Sequence, residues 1–147
     1  MTQVDAAAIT AVRAWLRLER SFDGLNVYLK DRYRITGLQL AILRIIGESE
    51  STTLYALRAQ LAMHPATIGQ LVDRVVKRGL LSRKRAANDS RLRELTLTAR
   101  GRRLLEEAPV AGPVRIRSAR ADKGRLRRLA AAFDDAVSLF GLEEWAP

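Results

Sequence analysis

The fold of this chain is most tightly constrained by two short helical patterns with almost no chain between them. Residues 54–61 place leucines at helical spacing, and a second helical pattern begins at Pro65, where proline is tolerated because the first turn of a helix needs no amide donor. The second pattern ends at Gly79, a residue that readily closes a helix. Because only a three-residue turn separates the two segments, this spacing predicts a helix-turn-helix.

Beyond this pair of helices, the spacing of apolar residues changes from helical to alternating. Residues 82–85 suit a short strand, residues 86–90 are rich in turn formers, and residues 92–97 alternate apolar and polar side chains, as a half-buried strand does. Thr98 is placed to cap a further helix, which prolines and a glycine within residues 109–113 interrupt early. A helix-turn-helix followed by a basic hairpin is the layout of a winged helix.

Longer amphipathic segments flank this unit. Residues 5–33 repeat large apolar side chains at alternating spacings of four and three, residues 122–142 carry a second apolar face, and Thr36 is placed to cap a helix that ends near Ile46. The flanking helices either pack on their own domain or pair with another chain, and the pattern leaves both open. The predicted fold class is mainly α with a small β-hairpin wing, in a single domain over residues 1–147.

The positive charge of the chain is concentrated rather than spread. Of a net charge of +10, residues 74–103 contribute eleven Lys and Arg against two acidic residues, and residues 115–128 contribute seven against one. Segments of this kind suit a polyanion, with nucleic acid as the first partner and an anionic membrane surface as the second. A solvated basic face without a partner is the alternative that charge alone leaves open.

The second helix of a helix-turn-helix enters the major groove of DNA, which is wide enough to admit it. Small residues near its start allow close approach of the backbone. Gln70 can pair with adenine, Thr67 can contact a thymine methyl or a phosphate, and Arg74 can reach a phosphate or guanine; an exposed glutamine is also ordinary on a helix that reads nothing. The DNA contacts predicted for this helix are Pro65, Ala66, Thr67, Gly69, Gln70 and Arg74.

The predicted hairpin supplies the rest of the interface. Arg83, Lys84 and Arg85 are expected to contact phosphates rather than bases, because phosphates take at least half of protein–DNA hydrogen bonds. Asp73, on the predicted recognition helix, is expected to brace Arg74 or a wing arginine rather than to bind a ligand.

These segments together resemble the MarR family. The resemblance is carried by residues 57–101 and most specifically by the succession LVDR, RGLLSR, DSR and LTLTARG. It implies a winged helix-turn-helix lobe over residues 36–100, in which Asp89 braces the wing and Arg91 reaches the minor groove; a solvated hairpin charge is the alternative for Arg91. It also implies a homodimer formed through the two flanking helical segments.

Three features depart from the family pattern. His64 stands where the family commonly has serine before the recognition helix, and Ala62 stands in place of a common turn glycine. Residues 109–113 interrupt a helix that usually runs much longer, which bears on the geometry of the dimer arms and on the spacing of DNA half-sites.

The resemblance further implies a small aromatic or anionic effector that acts on the dimer. Trp15, Tyr28 and Tyr33 are the aromatic residues that would line a cleft for it, between the dimer arms and the DNA-binding lobe. The alternative is that these three rings belong to the core.

Other classes of function find little support in the sequence. The chain has no cysteine and a single histidine, His64, so we expect no disulfide, metal site or cofactor. We expect no enzyme, because a glycine-rich phosphate loop, a carboxylate cluster and a nucleophile elbow are all missing. No apolar run approaches the ~18–20 residues that cross a bilayer, and the first residues do not read as a secretory signal. A cytoplasmic location without a membrane partner is therefore expected.

These observations predict a regulator that binds a palindromic operator in double-stranded DNA, most simply a repressor. The alternative is a basic nucleic-acid-binding protein without sequence preference, architectural or RNA-binding; the lack of aromatic residues among the basic stretches argues against a single-strand stacking platform. A protein-interaction winged helix that has lost DNA binding is a third possibility, against which Asp89 and Arg91 count.

Overall fold

The computed structural model describes residues 5–146 of the chain. Residues 1–4 and 147 of the predicted domain lie outside the described residues. The elements are α1 (Ala6–Tyr33), α2 (Gly37–Gly47), β1 (Thr52–Thr53), α3 (Leu54–Leu61), α4 (Pro65–Lys77), β2 (Leu81–Arg85), β3 (Arg93–Leu97), α5 (Ala99–Glu107), α6 (Arg115–Ser118), α7 (Lys123–Leu139) and a 3-10 turn (Glu143–Trp145).

Threonine side chains cap three of the helices, and the caps at Thr36 and Thr98 were predicted. The hydroxyl of Thr36 accepts a hydrogen bond from the Gln39 amide at 3.2 Å, and the Gln39 side chain accepts one from the Thr36 amide at 2.9 Å, which forms a capping box. Thr53 and Thr98 each accept from the amide three residues further on, at 3.0 Å. Because each cap satisfies an amide that would otherwise lack a partner, each stabilises its helix by about 1 kcal/mol.

Helix α2 forms the centre of the core. Seven of its eleven residues are buried, as expected for a helix that other elements cover on most sides. It packs against α1, α3, α4, α5 and β3. Fully buried side chains from those neighbours surround it: Leu29, Leu57, Ile68, Val72, Val75 and Leu95.

The wing is part of a three-stranded antiparallel sheet in the order β1-β3-β2. The two strands of the wing hairpin, β2 and β3, fall within one residue of their predicted positions. Leu92, predicted to begin the second wing strand, lies in the hairpin connection and is exposed. β1 was not predicted, because two residues are too few to show alternation. It pairs Thr52 with Leu95 and so holds the wing against the start of α3.

Helix α5 ends at Glu107, and residues 109–113 interrupt it as predicted. The guanidinium of Arg44 in α2 donates to the carbonyls of Ala108 and Pro109, at 2.9 and 3.1 Å. These bonds satisfy backbone acceptors at the end of the helix. The chain then forms α6, a single helical turn too short to leave a periodic signal in the sequence.

The apolar seam of α1 is buried in the core at its C-terminal end and exposed towards its N-terminal end. Leu29 is fully buried in the core and Leu25 is half-buried, whereas Trp15 and Leu18 are exposed. The Trp15 ring meets Phe140, at the end of α7, edge to face with centroids 5.7 Å apart. The C-terminal end of α1 therefore packs on its own domain. Several other large apolar side chains of α1 and α7 are exposed in this chain: Ile9, Val12, Leu18, Leu129, Phe133 and Leu139.

Candidate nucleic-acid interface

Helix α4 has one buried face and one open face. Ile68, Val72 and Val75 are fully buried, so the residues between them lie away from the core. The six residues predicted to contact DNA from this helix are exposed, apart from half-buried Gly69: Pro65, Ala66, Thr67, Gly69, Gln70 and Arg74. Their arrangement matches the prediction; their contact with DNA stays a prediction.

Gly69 has no structural reason within the chain to be glycine. Its backbone does not adopt a positive φ, and a Cβ built on it would meet no atom within 4 Å. Glycine inside a helix costs about 0.5–1 kcal/mol relative to alanine. The open space beside Gly69 lies next to Gln70.

The turn before α4 keeps its geometry with unusual residues. His64 is the N-cap, and its Nδ1 accepts a hydrogen bond from the Ala66 amide at 3.2 Å. Ala62 has a φ of 46°, in the left-handed region that favours glycine. The two departures from the family pattern are thus accommodated: histidine performs the cap and alanine accepts backbone strain.

The end of α4 is fixed by a Schellman motif. Gly79, with a φ of 71°, donates its amide to Val76 at 2.9 Å, and Leu80 donates to Val75 at 3.2 Å. The hydroxyl of Thr98 donates to the Gly79 carbonyl at 2.7 Å. The capping residue of α5 therefore also holds the last turn of the recognition helix.

Gly101 makes this contact possible. A Cβ on Gly101 would overlap the backbone carbonyl oxygen of Leu80, and the same carbonyl accepts a hydrogen bond from the Thr98 amide at 3.2 Å. This packing gives the threonine and glycine of LTLTARG a physical role. They let α5 lie directly against the junction between α4 and the wing.

The basic side chains of the wing are divided between its two faces. Arg83 lies opposite Leu95 and Arg85 opposite Arg93, and directly opposed residues of an antiparallel pair share a face. Arg83, Arg85 and Arg93 therefore lie on the face of the buried Leu95, while Lys84 lies on the other. The predicted basic triplet is divided between the two faces.

Arg93, which was not among the predicted DNA contacts, lies directly opposite Arg85 in the wing. Like charges directly opposite each other destabilise a sheet, and Arg85 and Arg93 form such a pair. Both side chains are exposed. A bound polyanion would offset their repulsion.

Asp73 braces a wing arginine, one of the two expectations for it. Its carboxylate accepts a hydrogen bond from Arg83 at 2.6 Å, so an ion pair joins the recognition helix to the wing. At the tip, the Asp89 side chain accepts from the Arg91 amide at 2.9 Å, a bond that shapes the turn. Asp89 and Arg91 are both exposed.

Of the three aromatic residues predicted to line an effector cleft, two pack together and the third lies apart from them within the chain. The rings of Tyr28 and Tyr33 pack together with centroids 6.1 Å apart, and the Tyr33 hydroxyl donates to the Glu107 carbonyl at 3.0 Å. Trp15 packs instead on Phe140 and lies about 20 Å further along α1 by helical rise. Within one chain α1 therefore keeps Trp15 apart from the two tyrosines; that the three residues line an effector cleft stays a prediction.

A cavity of about 420 Å³ opens elsewhere, between α1, α2, α3 and the segment that enters α6. Its walls are mainly apolar, and Arg117 is the one charged side chain among the described residues that line it. Arg117 donates to the Glu48 carboxylate at 2.6 Å and to the Gln60 side chain at 2.9 Å. The hydrogen bond from Arg117 lowers the pKa of Glu48.

Two further observations concern residues 5–146. No helix in this part of the chain is long and apolar enough to cross a membrane. Its His, Asp and Glu side chains form no group of three or more that could hold a metal ion.

Comparison with known proteins agrees with the winged helix-turn-helix described above. The MarR family model matches residues 35–92. The chain is 32% identical over 108 residues to the HTH-type transcriptional regulator YhbI of Bacillus subtilis (strain 168), covering 67% of this chain and 70% of that one.

Solved structures show the same fold over nearly the whole chain. A MarR mutant from E. coli complexed with operator DNA superposes with a TM-score of 0.62 at 21% identity, over 91% of this chain and 99% of that one. A MepR-like protein complexed with pseudoligands gives 0.65 at 20% identity, over 95% and 97%. The predicted winged helix fold is confirmed. With the family match and a relative of this identity and coverage, the chain belongs to the MarR family, a family of transcriptional regulators and not of enzymes.

Proposed function

We propose that this chain is a cytoplasmic homodimeric repressor that binds a palindromic operator in double-stranded DNA. The observation that carries the proposal is the ion pair of Asp73 and Arg83, which holds a basic wing beside the open face of α4. In the proposed complex the helix reads bases in the major groove while the wing binds the backbone and the minor groove.

The exposed apolar faces of α1 and α7 support the dimer. Large exposed apolar patches mark association surfaces, and Phe133 and Leu139 on α7 are 49% and 83% exposed in the single chain. A two-fold dimer through these helices would set two copies of α4 at a fixed spacing, as a palindromic site requires. Light scattering is expected to give about twice the chain mass of 16.4 kDa.

The alternative is a basic protein that binds nucleic acid without sequence preference. Gln70 and Arg91 separate the two functions, because in the proposed complex the first reads a base edge and the second meets phosphates. Gln70→Ala should cost about 1–3 kcal/mol on a selected operator and little on random duplex. Arg91→Ala should weaken binding to both duplexes and reduce the salt slope by about one unit for each chain of the dimer.

The experiment is a titration of the wild type and both variants on operator and scrambled DNA at several salt concentrations. Equal losses on both duplexes for Gln70→Ala would favour the non-specific alternative. A salt slope that Arg91→Ala leaves unchanged would remove the wing tip from the DNA contact.

A small anionic, apolar effector is the second part of the proposal, and the cavity beside Arg117 supports it. Apolar walls with one cation suit an aromatic carboxylate, which would compete with Glu48 for the guanidinium. Benzoate, with neutral benzamide as control, is the probe. Release of operator by benzoate alone is expected; equal effects of the two compounds, or none, would exclude this anionic occupant.

A further inference from the structure

The second basic segment, residues 115–128, has no role in the interface proposed above. It holds seven Lys and Arg and one acidic residue, and every one of the seven is exposed. The ion pairs found among residues 5–146 use Arg83 and Arg117 only. Six positive side chains of this segment therefore have no carboxylate partner in that part of the chain.

Arg117 fixes the start of this segment against the DNA-binding lobe. Its guanidinium donates to both carboxylate oxygens of Glu48, which follows α2, at distances from 2.6 to 3.2 Å, and to Gln60 in α3 at 2.9 Å. Val114, just before α6, is buried. α6 is thus a docked element of the lobe, held by a bidentate ion pair and an apolar contact.

The position of Gln60 relates α6 to DNA. In a helix-turn-helix the first helix crosses the DNA backbone while the second enters the groove. Gln60 lies in the last turn of that first helix, four residues before His64, the cap of the recognition helix. On its other side α6 continues into α7, which carries the exposed apolar face assigned to the dimer. The basic segment therefore connects the helix-turn-helix, through the contact of Arg117 with Gln60, to the helix assigned to the dimer.

We propose that residues 115–128 form a second DNA-contact surface, which binds phosphates on the dimer-axis side of each half-site. The inference rests on the proposed function, since it needs DNA bound by α4. Charge complementarity selects the occupant: exposed Arg and Lys side chains without interleaved aromatic residues suit a phosphate backbone and not stacked bases.

The test compares two triple variants that remove the same charge. R115Q/R120Q/K123Q alters the proposed surface, and R13Q/R17Q/R20Q alters three exposed arginines of α1. Each phosphate contact contributes about 0.9 to the slope of log affinity against log salt. A homodimer carries each substitution twice, so the first triple variant removes up to six contacts and should lower that slope by about 4–5 units. The affinity loss between 50 and 200 mM salt should then shrink about 250- to 1,000-fold. The second should change it by less than one unit.

A second arm locates the contact. Methylphosphonates that neutralise the phosphates between the half-sites of a selected operator should weaken the wild type and leave R115Q/R120Q/K123Q unaffected. Light scattering and thermal melting verify that both variants keep the wild-type assembly and fold.

Each outcome decides for or against the surface. An unchanged salt slope for R115Q/R120Q/K123Q would overturn the proposal, and so would equal sensitivity of wild type and variant to the methylphosphonates. Failure of the proposed function looks different: the wild type would then not discriminate operator from scrambled duplex. The salt slopes of the two triple variants on random duplex would still test the surface.

Discussion

The guanidinium of Arg83 in the wing lies 2.6 Å from the carboxylate of Asp73 on the recognition helix. Both side chains are partly exposed, at 30% and 52%, so the pair contributes less than about 1 kcal/mol to folding. Its effect is geometric. It sets the position of the wing relative to the helix and places a negative charge on a surface that otherwise attracts phosphates.

Asp73→Ala should therefore change DNA discrimination more than stability. Removal of the carboxylate raises affinity for random duplex, while the freed Arg83 no longer aligns the wing, so the ratio of operator to random affinity should fall several-fold. Glu106→Ala, which removes an exposed carboxylate from α5, is the charge-matched control. Paired titrations on both duplexes check this, and an unchanged ratio would show that the ion pair does not orient the wing.

Gly101→Ala should destabilise the protein. The new methyl would overlap the Leu80 carbonyl, which is backbone and cannot rotate away. The cost of such overpacking is about 1–3 kcal/mol or more. Denaturant unfolding measures it, with Arg103→Ala, at an exposed position on the same helix, expected within about 0.5 kcal/mol of wild type. Wild-type stability for Gly101→Ala would mean that α5 can shift off the end of α4.

The parts of the fold that sequence predicts are those governed by local rules. Thr36 and Thr98 predict the starts of helices because the hydroxyl of each accepts a hydrogen bond from the amide three residues further along the chain. Gly79 predicts the end of a helix because glycine readily takes a positive φ. The open face of α4 follows from the helical period of its apolar residues. These signals each lie within a few residues of the structure they predict.

The features that the sequence did not predict depend on contacts between residues that are distant along the chain. β1 exists because Thr52 pairs with Leu95, and Arg117 meets Glu48 across 69 positions of the chain. Neither contact leaves a periodic trace. Aromatic residue type alone likewise does not say which rings a helix brings together: Tyr28 packs on Tyr33, whereas Trp15 packs on Phe140.

Acid should remove the contribution of the Glu48–Arg117 pair to stability. The hydrogen bond from Arg117 lowers the pKa of Glu48 below its ordinary value of 4.5, so the carboxylate is the form that the fold favours. Its contribution is present above pH 4.5 and is lost as the pH falls through the lowered pKa. Because the side chains are 40% and 46% exposed, the contribution is below about 1 kcal/mol.

Glu48→Gln should accordingly lower unfolding free energy at pH 7 and differ less from wild type near pH 3. Urea titrations at both pH values measure the difference, with Glu106→Gln as the control that has no ion pair among the described residues. If the difference in unfolding free energy between wild type and Glu48→Gln stayed constant with pH, the ion pair would contribute nothing to stability.

Gly69→Ala should raise stability and lower operator affinity at the same time. A Cβ at this position meets no atom within 4 Å, so the variant gains about 0.5–1 kcal/mol of helix stability. The same methyl group stands on the surface where DNA would approach the backbone, and a clash there should cost about 1–3 kcal/mol of binding. Gly24→Ala is a matched control, since Gly24 is also helical and also has open space around a built Cβ. It should raise stability by a similar amount and leave operator affinity unchanged, as measured by thermal melting and by fluorescence anisotropy. If Gly69→Ala bound operator as tightly as Gly24→Ala does, the recognition helix would not approach DNA at this turn, and the proposed placement of Gln70 against a base would be wrong as well.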